Sequence, residues 1–306
     1  MAKRTKNFSA KVDFTVDMLP HSRKAQFFTI LRDRIPLMIK LALVTLLFFV
    51  PLILAASYKT VVVYNFVRRF QAGEFDEITL NGYVSYTKFL FSLIYVPCYL
   101  IAAVGVSGLN RVTHRLVFGE GILFKADYAL GIRNNYKQYA VFSLVYGCIY
   151  ALVRYGLFRF GGSVIMSVTA FILAVLVFPY MLVSFTYRAV YTSTGAELFG
   201  NILRAEIASK FKIVWLSVLA IFPVVVICLF CSGYLFLFLS MLCVLLLPVY
   251  ALLLQSAFAD VFDQSFNLLN HEEIVKKGLY VSDKEKEIIR QTHLRLLKEF
   301  GKKGEE

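Results

Sequence analysis

Charge is scarce in this chain: Asp, Glu, Lys and Arg make up 17% of its 306 residues, whereas 58% are hydrophobic, and the mean hydropathy is +0.67. A soluble fold of this length cannot hide that much apolar surface, so an ordinary water-soluble domain is excluded. Histidine is sparse too. His21, His114, His271 and His293 are scattered and make no HExxH or comparable metal-ligand spacing. The chain has no phosphate-binding loop, no dinucleotide fingerprint, no nucleophile elbow and no carboxylate pair placed for acid–base work. No enzymatic activity, metal or cofactor is therefore expected. The cysteines Cys98, Cys148, Cys228, Cys231 and Cys243 all fall in apolar runs, which suits small packing side chains rather than a disulfide framework. Cys228-Leu-Phe-Cys231 does have the spacing of membrane thiol oxidoreductases, but no second cysteine pair is expected at that face to relay electrons.

Long hydrophobic runs are what the chain has instead. Six are long enough to cross roughly 30 Å of hydrocarbon: 37–57, 89–109, 139–157, 162–186, 213–231 and 233–257. They divide the chain into an N-terminal segment 1–36, a transmembrane domain 37–257 and a charged tail 258–306. The polar, basic stretch ahead of the first span is too long and charged to open a cleaved signal peptide, so that span is expected to remain as an anchor. Lys and Arg crowd the segments before the first span, 110–138, 187–212 and beyond 257, whereas 58–88 holds four, 153–162 two and the turn at 232 none. That asymmetry predicts cytoplasmic N- and C-termini. It also makes the net charge of +13 a topology signal and an attraction to anionic inner-leaflet lipids. No nucleic-acid module is present to give it another meaning.

The spans are not independent. At an offset of 172, Phe27, Ile30, Leu31, Arg32, Ile35, Lys40, Leu47 and Pro51 recur as Phe199, Ile202, Leu203, Arg204, Ile207, Lys212, Leu219 and Pro223. A middle copy, offset by 97, places Phe124, Ile132, Lys137 and Val141 where Phe27, Ile35, Lys40 and Val44 stand. The returning arms carry Pro97, Pro179 and Pro248, each near a tyrosine. The repeats predict an all-α, six-helix bundle of three hairpins, each led by an amphipathic elbow helix on the inner membrane surface. In the last copy Leu198, Phe199, Ile202, Leu203 and Ile207 are expected to share one face. Prolines inside spans remove helix hydrogen bonds, so kinks at corresponding positions either line a central cavity or are packing features.

The outer connection 58–88 reads as a loop over the bundle mouth, turning at Asn81-Gly82, although Val61 to Phe66 could prolong the first helix. Gly161-Gly162 reads as the turn of the middle hairpin. In the tail, Ser282-Asp-Lys-Glu285 fits a capping box opening a helix. Its stripe of Ile288, Ile289, Leu296, Leu297 and Phe300 needs cover, from the bundle, a partner or a second copy.

One segment carries an external resemblance. GLNRVTHRLVFGEGILFKADYALGIRNNYKQYAVF presents Gly119-Glu120, Asp127-Tyr128, Gly131, Arg133, Asn135, Tyr136, Lys137 and Gln138. These resemble the signature of the YesL-like family of bacterial integral membrane proteins, locally over 105–138 and generally over 89–257. The resemblance implies an accessory protein encoded beside carbohydrate ABC transporters and their two-component regulators, and it supplies no catalytic residues. Residues 195–217 lack the Glu-Ala-Ala loop of a sugar-permease subunit. Physically, Asp127 is expected to cap an interfacial helix, with Asn134 and Asn135 satisfying the backbone where that helix bends into the third span. Alternatively Arg115, Glu120, Asp127 and Arg133 form an ion-pair cluster that, with Asn135 and Lys137, contacts a partner or anionic ligand. Three functions follow from these readings: an accessory or assembly protein of the bacterial cytoplasmic membrane, a transporter of sugar or another uncharged solute, or, on Cys228 and Cys231 alone, a membrane thiol oxidoreductase. No Asp, Glu, His or Lys lies near the middle of any span, which speaks against ion-coupled transport.

Overall fold

Apolar runs in hydrocarbon must satisfy every backbone amide internally, which leaves helices as the available solution for this sequence. The computed structural model describes residues 19–160, 164–191, 195–208, 233–268 and 271–301, with isolated positions between 212 and 227. It is all-helical, with no strand among the described residues. The helices are α1 (Arg23–Asp33), α2 (Ile35–Gln71), α3 (Glu77–Val117), α4 (Phe124–Arg159), α5 (Val164–Val190), α6 (Gly195–Ala208), α7 (Gly233–Leu245), α8 (Leu247–Phe262) and α9 (Asp283–Gly301). Among the described residues α2, α3 and α4 are each long and apolar enough to cross a membrane, and α7 with α8 could form a fourth crossing bent by 41°. The predicted span 213–231, with Cys228 and Cys231, lies largely outside the described residues, as do Gly161-Gly162 and residues 1–18. The side chain of Pro179, within α5, lies outside them too.

The chain breaks between α1 and α2 at Arg34 because Pro36 occupies the first turn of α2, where its missing N–H costs nothing but its ring forbids continuation. In the middle copy the corresponding position is Arg133, and α4 runs unbroken from Phe124 to Arg159. The bend expected at Asn134 and Asn135 is therefore absent, and the middle copy has no separate elbow. Pro51 and Pro97 stay inside α2 and α3, whereas Pro248 opens α8 after the break at Leu246.

The outer connection is also helical. α2 spans 37 residues and α3 spans 41, about 55 and 60 Å at 1.5 Å per residue. Both exceed the roughly 30 Å of hydrocarbon, so they project as a two-helix arm rather than ending in the predicted loop. The arm is closed by Phe66 stacked on Tyr83 at 5.2 Å between ring centroids and Phe75 set edge-on to Tyr83. Its turn falls at Gly73, with φ +79, and the Asp76 side chain accepts from the Thr79 amide at 3.0 Å to cap α3. Asn81-Gly82 lies inside α3.

α3 is the central post, packed by α1, α2, α4, α5 and α8. Small residues let α4 come close: a Cβ on Gly131 would lie 2.9 Å from both Gly108 Cα and the Ser107 carbonyl oxygen. One core joins Met38, Leu41, Leu109, Val112 and Val117 to Leu252 and Ala259. A second joins the ends of α5 and α8 to Leu198, Ile202 and Ala205 of α6. α6 thus has two apolar faces, because Phe199, Leu203 and Ile207 remain exposed at four-residue spacing; the single face read from the sequence is split.

The helix crossing at Gly131 generates a direct test. Gly131→Ala should lower stability to chemical unfolding in detergent by about 1–3 kcal/mol through overpacking against backbone. Gly121→Ala, with nothing within 4 Å of its new methyl, should leave the unfolding midpoint unchanged.

Candidate functional site

Where α3 ends, its last carbonyls need donors, and α1 supplies them. Arg23 Nη1 donates to the Val117 carbonyl at 3.3 Å, and Gln26 Nε2 donates to the same oxygen at 2.6 Å. Both side chains also reach the tail: Arg23 Nη1 to the Lys277 carbonyl at 2.9 Å and Gln26 Nε2 to the Gly278 carbonyl at 2.9 Å. A third pair of contacts comes from the end of α8, with Arg23 Nε 3.6 Å from Asp260 and Nη2 3.6 Å from Asp263. These are ion-pair distances longer than hydrogen bonds, and neither nitrogen has another partner. The guanidinium also lies 5.9 Å from the centroid of Phe118, whose ring receives Lys277 Nζ at 5.8 Å.

The end of α8 is shaped for this role. Asp263–Asn267 is a π-helical turn, a distortion found often at functional positions. Asn267 Nδ2 donates to Asp263 at 2.8 Å, and Tyr191 OH donates to Asn267 Oδ1 at 2.6 Å. The other Asp263 oxygen accepts from the Lys276 amide at 3.0 Å. Lys276 holds φ at 55, an uncommon region for a side-chain-bearing residue. Gly278, with φ +85, packs so closely that a Cβ would come 2.4 Å from the Val117 oxygen. Burial pushes the Asp263 carboxyl up, with Asn267, the Lys276 amide and Arg23 opposing it.

A second cluster borders this clasp. Arg115 Nε pairs with Glu120 at 3.1 Å, its Nη1 pairs with Asp127, and Lys277 Nζ pairs with Glu120 at 2.9 Å. Asp127 is not the N-cap of α4. Leu123 holds that position, and Asp127 reaches back to accept from its amide at 2.7 Å.

Of the residues predicted as a site, Arg115, Glu120 and Asp127 meet. Arg133 is exposed on α4, Asn135 is half-buried, and Lys137 is exposed beside the Tyr136 ring at 6.0 Å. Among the repeat-defining residues, Arg32 pairs with Asp33 in solvent, and Lys40, Arg204 and Lys212 are exposed. Pro51 is half-buried, Pro97 and Pro223 are exposed and Pro248 is buried. Arg23, Gln26, Asp260, Asp263, Asn267 and Lys277 were not anticipated, because in sequence they look like ordinary solvent-facing polar residues. The one signal in the sequence is Gly278, a glycine four residues ahead of the Ser282 capping box.

The tail beyond the clasp carries the predicted capping box: the Glu285 amide donates to Ser282 Oγ at 3.3 Å and the Ser282 amide to Glu285 at 3.0 Å. α9 touches the short 3-10 turn Glu272–Ile274, and His293 Nδ1 lies 2.7 Å from the Leu268 carbonyl. Ile289 and Leu296 are half-buried, but Ile288, Leu294 and Leu297 are exposed. Among the described residues no group of three His, Cys, Asp or Glu could hold a metal. The arrangement joins segments; it offers no nucleophile beside a base. Comparison of the chain with protein-family models, with curated proteins and with solved structures finds no match.

Two outcomes follow. Arg23→Gln removes the guanidinium that faces the buried Asp263 carboxylate and should destabilise the protein by about 3 kcal/mol, read as accelerated proteolysis within 271–282. Burial pushes the Glu120 carboxyl up, but the Lys277 ammonium, His114 and Arg115 outweigh it and hold it below its ordinary 4.5. A depressed carboxyl stabilises the fold above its unfolded value and loses that contribution as pH falls through its folded value. The stability difference between wild type and Glu120→Gln should therefore be constant above about pH 5.5 and shrink below about pH 4.

Proposed function

We infer that this chain is a six-span accessory or assembly protein of the bacterial cytoplasmic membrane, of the YesL-like kind, with both termini in the cytoplasm. It works by presenting a docking helix to a carbohydrate transport or sensing complex rather than by catalysis. The observation that carries this reading is α9: a helix anchored at its base by Lys276–Glu285 at 3.1 Å, yet leaving Ile288 61%, Leu294 48% and Leu297 44% exposed. Exposed apolar residues on a charged helix suit a partner groove. The clasp supports this role, since Arg23, Gln26 and Gly278 hold the start of the tail rigidly against α3 and so aim the helix that follows. The basic segments at that end of the bundle add affinity for anionic lipid.

A second reading, a transporter of sugar or another uncharged solute, draws on Gln255 and Ser256. These are 2% and 4% exposed inside the bundle, with Gln255 Nε2 and Ser256 Oγ lacking partners. Buried polar groups without partners in a membrane bundle are costly and suit a hydroxylated solute. The thiol oxidoreductase reading gains nothing further, because Cys228 and Cys231 lie outside the described residues.

The first test is gentle solubilisation of native membranes followed by quantitative mass spectrometry of proteins captured with a C-terminally tagged chain. A transport or sensing complex should co-purify stoichiometrically, and Ile288→Glu with Leu297→Glu should cut that recovery at least tenfold while the protein stays monodisperse. Solute flux into proteoliposomes of the isolated protein, with no partner captured, would replace the accessory reading with the transporter.

A further inference from the structure

At the end of the bundle opposite the clasp, α3 and α4 are locked by aromatic contacts. Phe89 meets Tyr155 at 5.3 Å and stacks on Phe158 at 5.8 Å, and Tyr86 meets Phe158 at 5.9 Å. Each helix places a cation beside this seam, Lys88 next to Phe89 and Arg154 next to Tyr155. The two lie within electrostatic reach of one another. Arg154 Nε donates to Tyr150 OH at 3.2 Å, and its guanidinium lies 5.6 Å from that ring, so the side chain is held rather than free to swing away.

No carboxylate among the described residues answers these charges. The acids at this end belong to the tip of the arm: Glu74 pairs with Arg69, Asp76 caps α3, and Glu77 begins α3, eleven residues or about 16 Å along the axis from Lys88. Two like charges placed together without a counter-charge are unfavourable unless an anion joins them. The surroundings say which kind. Leu90, Ile94 and Leu152 are exposed in the same stretch, and such surface in a membrane helix faces acyl chains. Tyr86 and Tyr155 are half exposed beside them, as aromatic residues are at a headgroup boundary. A third cation, Lys59, stands 5.9 Å from the Tyr95 ring on the facing side of α3.

We propose that Lys88 and Arg154 form a binding site for the headgroup phosphate of an anionic phospholipid, at the boundary where α3 and α4 leave the hydrocarbon and the helical arm begins. The lipid completes the charge balance of the α3–α4 seam and fixes the height at which the arm stands. This inference rests on α3 and α4 crossing the membrane, not on the accessory role, so either can fail alone.

The test is native mass spectrometry of the full-length protein titrated with phosphatidylglycerol or phosphatidylcholine. Wild type should retain phosphatidylglycerol in preference. Each cation near a headgroup surface is worth about fivefold, so Lys88→Gln with Arg154→Gln should weaken retention at least tenfold, and Lys88→Arg with Arg154→Lys should restore it. Arg68→Gln, which removes the same charge from the exposed arm, should change nothing. Equal retention by wild type and the double Gln variant, or an equal loss in Arg68→Gln, would overturn the proposal. Binding of inorganic phosphate by lipid-free protein as tightly as phosphatidylglycerol would overturn the lipid assignment in favour of a soluble anion.

Discussion

A guanidinium that is 4% exposed dictates how one end of this protein is put together. Burying a charge costs several kcal/mol even after relaxation, and Arg23 offsets that with two carboxylates, two backbone carbonyls and the Gln26 side chain at once. Those acceptors come from three distant parts of the chain, so none can move without leaving another unpaired. The same donors answer a separate need, the open carbonyl at the end of α3. Gly278 is what makes the double use possible, because its missing side chain is the space the Val117 carbonyl occupies.

This geometry explains what was legible beforehand. Arg115, Glu120 and Asp127 lie five and twelve residues apart, close enough for a helix-end reading to bring them together. Arg23 and Lys277 are 254 residues apart, and nothing local marks either as a partner of the other. Helix existence could be read from hydrophobic runs, but helix ends could not. Hydropathy falls at Lys59 and Lys88, where the sequence reading ends and begins its spans; the helices continue because Phe66, Phe75 and Tyr83 supply a small packed interface beyond the apolar stretch. Asn81-Gly82 is a turn dipeptide in isolation, and tertiary packing on either side overrides it.

The repeat was equally legible and equally incomplete. Corresponding positions keep their inward direction in all three copies: Ile30 is half-buried, and Asp127 and Ile202 are 2% and 0% exposed. What changes is chemistry. An isoleucine at this position closes an apolar contact, whereas Asp127 recruits Arg115 and the Leu123 amide, which converts the middle copy from an elbow into part of a polar junction.

One substitution between copies then has a consequence beyond its own turn. Pro36 separates α1 from α2 and frees α1 to lie across the base, where it delivers Arg23 and Gln26 to the end of α3. Arg133, at the matching place in the middle copy, lets α4 continue in one piece and run antiparallel to α3 along the Gly108–Gly131 crossing. Had the middle copy also broken, that crossing would lose its rigid partner; had the first copy not broken, Arg23 would be carried away along the axis of α2 and the carbonyl of Val117 would lack its donors. The divergence of a single backbone feature therefore sorts otherwise similar units into a clasp and a post, and the tail can be positioned only because both are present.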